Sequence, residues 1–498
     1  MKTRNRITWS NVIKKHQVEP FKYLTPGSLE DIVAAVQEAE ACGHRIRAVG
    51  SGHSYSDIAI TDGHLVDMSR LNRLLELDKD RLHLHHQEKY LVEVEGGITV
   101  EKLNRQLDRQ RLALINMGAI DEQTISGAIA TGTHGSGRNL PAMSGMVRSL
   151  MMVATEGKKY RIEPSEGFTD PNQHKEADTE LIQDDDTFYS AVVSMGCMGI
   201  VYSYILEVRP RYWLYENRCA EKWSEVRQKL ADGSMFDDYP ILINGQKVER
   251  PIRSVFIVVN PYEKDGDHTC MVARTFEVDR FQFRTLRDRT RNILATIVSN
   301  IPLAYRISLF VVNNLPKLVP AALERSMTAL KDTTYVHKSY KVLFQGFEYV
   351  ASQGHGAEFA YNRHETTYLD VMDKIFAKVA QLSEKYKLYP SSAPTLRFVK
   401  SSPIYLTPEH ETDVCYIGNP VLVRQKGATL ILNEYQDINL EAGGKPHWGK
   451  ITNRLEGRTE LIRQWYPKFE TWRQVMLRFN PNRTFLNSFA ERMRLDEP

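Results

Sequence analysis

Glycine crowds two loops in the first third of the chain. One is Val49-Gly-Ser-Gly-His-Ser-Tyr-Ser56, and the other is Thr124-Ile-Ser-Gly-Ala-Ile-Ala-Thr-Gly-Thr-His-Gly-Ser-Gly137. Glycine permits positive φ and lets backbone N–H groups close on a pyrophosphate, and Ser and Thr hydroxyls add donors. Each loop can cradle a large phosphorylated ligand or serve as a plain turn. Neither meets the common nucleotide fingerprints. Gly50-x-Gly52 lacks the third glycine of GxGxxG, and no GxxxxGK[ST] occurs, so a Rossmann dinucleotide site and a P-loop are disfavoured.

Helix and strand signals alternate around these loops. Ser28 and Asp31 form a capping pattern ahead of Leu29, Ile32, Val33 and Val36 at helical spacing, and Gly43 suits the stop. Residues 45–49, 65–68 and 90–95 read as strands. Thr99 opens a second helix with Val100, Leu103 and Leu107 on one face. Strands return over 147–162 and 199–208. Residues 163–185 read as a polar surface loop, and Asp184, Asp185 and Asp186 as a loop charge run. From about Pro210 aromatics increase, and a second domain is expected. Residues 397–400, 414–417 and 428–433 read as strands of an antiparallel sheet.

Composition excludes several function classes. A net charge of +3 gives no reason to expect nucleic acid as a partner. Five scattered cysteines with no CxxC pair argue against a disulfide framework and for a reducing, cytoplasmic setting. The basic N-terminus runs into no apolar stretch, so a cleavable secretory signal is not expected. The most apolar segment, 293–323, is broken by Asn300, Pro302, Arg306, Asn313, Asn314 and Pro316. It reads as helices packed in a core, or alternatively as a membrane-leaning surface. His83, His85 and His86 have no acid or cysteine at ligand spacing and read as a solvated strand, so no metal site is expected.

The order of the motifs is more specific than any one of them. A strand, Gly-Ser-Gly-His-Ser, a strand with Asp67, Glu95-Gly-Gly97, a helix, Gly118, Ser126-Gly127, Gly132-Thr-His-Gly135 and Gly196-Cys-Met-Gly-Ile200 follow one another. This resembles the vanillyl-alcohol-oxidase-type FAD fold over residues 15–210. Lys445-Pro-His-Trp-Gly-Lys450 and Asn480-Pro-x-x-x-Phe-Leu-Asn487 resemble the aldonolactone oxidase branch, which includes gulonolactone, arabinonolactone and alditol oxidases. The resemblance implies an α+β, two-domain PCMH-type FAD-binding fold with a substrate domain built on an antiparallel sheet. Its FAD domain would take residues 1–208, its substrate domain 209–444, and residues 445–498 would return to the FAD domain.

The same resemblance implies an FAD-dependent oxidase of CH–OH groups on a sugar lactone or polyol, with oxygen as acceptor and hydrogen peroxide as product. His53 stands where the branch commonly bonds its histidine to FAD. Gly50, Ser51, Gly52 and Ser54 would cradle the pyrophosphate, and Ser126, Gly127, Thr131, Thr133 and His134 would line the cofactor's other side. Ile200 and Val201 fall at the adenine or ribose end. Gly118 stands where rapid oxygen reducers carry glycine beside the flavin and the dehydrogenase relatives carry alanine. Arg397 and Lys450 match the branch's substrate residues, but Thr395 replaces its glutamate. Glu434 or Glu348 could stand in spatially. The missing carboxylate keeps two other readings open: an enzyme acting on a larger, lipid-linked alcohol, and a flavin protein with an inactive substrate site.

Overall fold

The computed structural model describes residues 1–497 except 84–85, 87–89, 175, 177, 244, 280–301, 330, 332 and 346–353, and it describes residues 302–304 without their side chains. Three sheets carry the architecture. The first is four-stranded in the order Lys2–Arg4, Lys22–Thr25, His64–Asp67, Ile46–Val49, and its last three strands are parallel. Helix Leu29–Ala41 covers it. Ser28 caps that helix by accepting from the Asp31 amide, and Ile32, Ala35, Val36 and Ala39 are buried against Leu24, Ile46 and Val66.

The second sheet has six strands in the order Thr179–Gln183, Lys159–Glu163, Val147–Val153, Ile200–Glu207, Leu91–Glu95, Leu74–Leu75. Helix Val100–Arg109 starts at the Thr99 cap and buries Val100, Leu103 and Leu107. The third sheet has eight strands: Thr333–Lys338, Trp213–Lys222, Asp267–Val278, Ser254–Lys264, Thr395–Val399, Val414–Leu422, Gly354–Asn362 and Lys445–Pro446. Every neighbouring pair in it is antiparallel.

Four expectations need correction. Residues 163–185 are not merely a solvated loop. Thr179–Gln183 pairs in parallel with Lys159–Glu163, and the buried Glu163 accepts from the Phe168 and Thr169 amides at 2.8 Å. The Asp184–Asp186 run starts a helix. Asp184 caps Asp185–Val192 through the Thr187 amide, where carboxylates complement the helix dipole. Ala428–Glu441 is a helix rather than a strand. Its apolar positions Ile431, Leu432, Tyr435 and Leu440 keep helical spacing beyond residue 433. His86 is buried and stacked on Phe168, with ring centroids 4.0 Å apart, rather than on a solvated strand, while His85 lies outside the described residues.

The chain after residue 444 begins as the last strand of the large sheet and then packs on the first two. Phe485 is fully buried in the core under helix Leu29–Ala41. Asn487 Nδ2 donates to the Ile58 and Ile60 carbonyls at 3.0 Å, and Asn480 Nδ2 donates to the Cys197 carbonyl at 2.9 Å. Between the glycine loops and the large sheet lies a cavity of about 470 Å³.

Candidate active site

The two glycine loops meet face to face. A Cβ on Gly50 would lie 2.0 Å from Thr124 Oγ1, so only glycine admits this approach. Gly52 has φ +71° and its carbonyl accepts from the Val12 amide at 2.9 Å. Tyr55 N donates to the Gly449 carbonyl at 2.8 Å, which ties the first loop to the C-terminal His-Trp-Gly-Lys segment. The second loop is pinned to the large sheet. Gly137 N donates to the Phe398 carbonyl at 2.6 Å, and Ser136 Oγ donates to the Val255 carbonyl at 2.5 Å.

The residues matched to the family's cofactor and substrate positions line this one cavity: Gly50, Ser51, Gly52, His53, Ser54, Gly118, Ser126, Gly127, Thr131, Thr133, His134, Ile200, Val201, Thr395, Arg397 and Lys450. Their local partners differ. His53 Nε2 faces Glu122 Oε2 at 3.2 Å, and this hydrogen bond holds the Glu122 carboxyl below the usual range. Ser51 Oγ donates to the Glu122 carbonyl at 2.5 Å. Thr131 Oγ1 donates to the Gly127 carbonyl at 2.9 Å, so it also serves as a helix-end bond. Gln123 Nε2 donates to Thr133 Oγ1 at 3.4 Å, while its buried Oε1 has no protein partner among the described residues and lies in the cavity wall. A narrow backbone cradle and an orphaned polar atom in a long cavity fit a large phosphorylated cofactor.

Sequence reasoning missed the carboxylate. Glu358 lies on strand Gly354–Asn362, is 5% exposed and lines the cavity. Register explains its placement: Thr395 pairs with Gly418, and Gly418 pairs with Glu358. Three successive strands therefore present Thr395, Gly418 and Glu358 on one face. Gly418 has no side chain to separate the other two. A Cβ there would meet Thr395 Oγ1 at 2.6 Å and Glu358 Oε1 at 3.4 Å. The carboxylate absent at 395 is thus supplied two strands away. Glu434 does not substitute, because it pairs with Lys378 at 2.8 Å on the helix side of the sheet, and Glu348 lies outside the described residues.

The surroundings of Glu358 decide its charge. Burial opposes ionisation, but His134, Lys450, Arg397 and His447 outweigh it and hold the pKa at about 2. Burial also lowers His134 to about 4 and His447 to about 3, so both imidazoles are neutral at pH 7. The lasting counter-charges are therefore Lys450, whose Nζ is 3.8 Å from Glu358 Oε2, and Arg397. The imidazoles are oriented by their other nitrogens. His134 Nδ1 bonds the Gly135 carbonyl at 3.0 Å and its ring stacks on Tyr416 with centroids 3.6 Å apart. His447 Nδ1 accepts from the Gly449 amide at 3.0 Å, which leaves Nε2–H as its donor. His134, Glu358 and His447 bring ligand atoms within 4.8 Å of one another, as a metal site would. Two fixed cations on the same carboxylate oppose a divalent ion there, and suit an anionic or hydroxyl-bearing substrate instead.

Comparison with known proteins agrees with this division of labour. An FAD binding domain model matches residues 20–163, and a D-arabinono-1,4-lactone oxidase model matches residues 261–493. L-gulono-1,4-lactone dehydrogenase of Mycobacterium tuberculosis is 26% identical over 97% of this chain and 98% of its own length. L-gulonolactone oxidase of Mus musculus is also 26% identical, over 98% of each chain. Among solved structures, cholesterol oxidase from B. sterolicum superposes with a TM-score of 0.76 over 99% of this chain and 97% of its own, at 14% identity, and so shares the fold. An FAD binding domain and a D-arabinono-1,4-lactone oxidase domain are thus matched on one chain and joined across one cavity, and nearly the whole chain is similar to proteins named as gulonolactone oxidases and dehydrogenases.

Proposed function

We propose that the protein oxidises a CH–OH group of a sugar-1,4-lactone or a closely related polyol, with FAD held by Gly50–Ser54 on one side and Ser126–His134 on the other. The observation that carries this reading is the buried Glu358, 3.8 Å from Lys450 Nζ, in the cavity that the glycine loops wall and Arg397 also lines. The substrate class draws on full-length likeness to proteins named for gulonolactone. Bound FAD would supply the two-electron acceptor for the hydride, with oxygen as final acceptor and hydrogen peroxide as product. Glu358 accepts the substrate hydroxyl's hydrogen bond and aims its carbon. A hydroxyl whose carbon loses hydride becomes a protonated carbonyl, acidic enough to hand its proton to a carboxylate of low pKa. Lys450 and Arg397 keep Glu358 ionised, ready to take that proton.

His53 is the proposed covalent tether. Glu122 holds Nε2–H and leaves the Nδ1 lone pair free to act as nucleophile. Acid denaturation tests this. Flavin fluorescence should stay with the polypeptide in the wild type and leave in His53→Ala, and release from both would refute the tether.

Anaerobic mixing with L-gulono-1,4-lactone, D-arabinono-1,4-lactone, alditols and a sterol tests the function. Bleaching of the flavin absorbance by a lactone or alditol is expected. A flavin that no alcohol bleaches would mean the substrate site is inactive.

A further inference from the structure

The segment 293–323 reads from sequence as core helices or as a membrane-leaning surface; residues 293–301 lie outside the described residues, and from 302 to 328 the structure turns several apolar side chains outward. Helix Pro302–Asn314, the turn Pro316–Leu318 and helix Val319–Thr328 leave Ile307, Phe310, Leu315 and Leu318 46–59% exposed. Amphipathic helices on a water-soluble surface turn the other way, apolar side in. The inner side here is occupied by specific contacts. Met327 and Leu323 pack with Met271 and Ala393. Asn313 Nδ2 donates to the Arg424 carbonyl at 3.2 Å, and the Lys426 amide donates to Asn313 Oδ1 at 2.8 Å. The segment is thus fastened through its inner side, while Ile307, Phe310, Leu315 and Leu318 stay exposed.

Charge selects what this surface meets. Arg306, Lys317, Arg325, Lys331, Arg424 and Lys426 are all exposed on or beside the segment. Its one acid between 302 and 331, Glu324, points inward and bonds Asn260 at 2.8 Å, Thr269 at 3.0 Å and Lys264 at 3.3 Å. Exposed apolar side chains ringed by cations match an anionic lipid surface, where the chains enter the acyl boundary and the cations meet the headgroups.

We propose that this helix pair seats the protein on an anionic bilayer surface. The attachment is peripheral, since no helix among the described residues is long and apolar enough to cross a membrane. It lies close to the substrate end of the cavity. Ala393 in its inner core follows the lining residue Ser392, and Leu422 of the cavity wall lies two residues before Arg424. Docking would therefore bring that end of the cavity near the lipid interface.

Flotation of the full flavin-loaded chain with phosphatidylcholine vesicles, with and without phosphatidylglycerol, tests the proposal. Wild-type protein should float with the anionic vesicles, bind neutral ones about tenfold less and release in high salt. Phe310→Asp with Leu318→Asp should abolish flotation while flavin absorbance and melting temperature stay unchanged. Absence of flotation by the wild type, or flotation indifferent to the double substitution, would overturn it. So would a wild-type dimer that these substitutions dissolve, because the patch would then be covered by a second copy of this chain.

Discussion

Behind the cavity wall, the carboxyl of Glu409 is fully buried and accepts from the Tyr416 hydroxyl at 2.6 Å. Burial pushes its pKa up to about 7, against the smaller opposing effects of the Tyr416 hydrogen bond and Lys445. A folded pKa above the unfolded one means that the native state holds its proton longer. The contribution to stability is fully present below about pH 4.5, declines as pH rises, and is lost above about pH 7. Glu409→Gln keeps an acceptor for Tyr416 and removes the titration. It should melt higher than the wild type at pH 8, by a margin on the order of 3 kcal/mol, and the margin should narrow towards pH 4. Equal pH dependence in thermal melts of the two proteins would refute this. A Cβ added at Gly118 would lie 2.9 Å from Thr133 Cγ2 and 3.4 Å from Gln123 Oε1. Gly118→Ala should therefore slow flavin reoxidation by oxygen in two ways, by blocking access and by displacing Thr133. Adding Thr133→Ser removes the clashing methyl. If stopped-flow reoxidation stays slow in the double variant, glycine acts as an oxygen gate; recovery to the wild-type rate would assign the effect to packing.

At the scale of elements, the substrate carboxylate is a product of strand pairing. The Thr395, Gly418 and Glu358 register lets a glutamate two strands away reach the place that a glutamate at 395 would fill. Glu358→Gln should retain flavin and lose about a hundredfold or more in kcat, the usual effect of removing a proton acceptor. Combining Glu358→Ala with Thr395→Glu should restore part of that rate, whereas Glu358→Ala alone should not. Steady-state kinetics decide, and equal rates for the single and double variants would separate the two positions functionally. This geometry also shows what a sequence can disclose. The glycine loops were legible because a positive φ or a close backbone approach is a local demand written in consecutive residues. The caps at Ser28 and Thr99 were legible for the same reason. Glu358 was not, because its neighbours Thr395, Gly418 and Lys450 lie between 37 and 92 positions away and only the sheet brings them together. Helix Ala428–Glu441 was misread because its first six residues, Ala-Thr-Leu-Ile-Leu-Asn, form a short apolar run that fits either period.

Across the whole molecule, one buried cation fastens the segments that wall the cofactor side of the cavity. Arg47 is 4% exposed, lines the cavity and donates to the Gly196 carbonyl at 2.8 Å, the Phe485 carbonyl at 2.8 Å, the Met195 carbonyl at 2.6 Å and the Ile58 carbonyl. These acceptors come from the loop after the first glycine motif, the loop before strand Ile200–Glu207, and the C-terminal segment. A single planar guanidinium can satisfy carbonyls in several directions at once, which an ammonium on a flexible stem cannot. Replacing it with Met of similar length would leave buried carbonyls without donors, at about 1–3 kcal/mol for each one that water cannot reach. Arg47→Met should therefore lower the melting temperature and the flavin content together, and Arg47→Lys should rescue neither fully. Because a ligand that binds only the folded state stabilises it by mass action, added FAD should recover part of the lost melting temperature in any variant whose flavin is not yet attached. Differential scanning fluorimetry with and without FAD, alongside the absorbance ratio of flavin to protein, measures both effects. An Arg47→Met protein with wild-type melting temperature and flavin content would show that the C-terminal segment is held by its apolar anchor Phe485 alone, and that the carbonyl cluster contributes nothing to holding the cofactor.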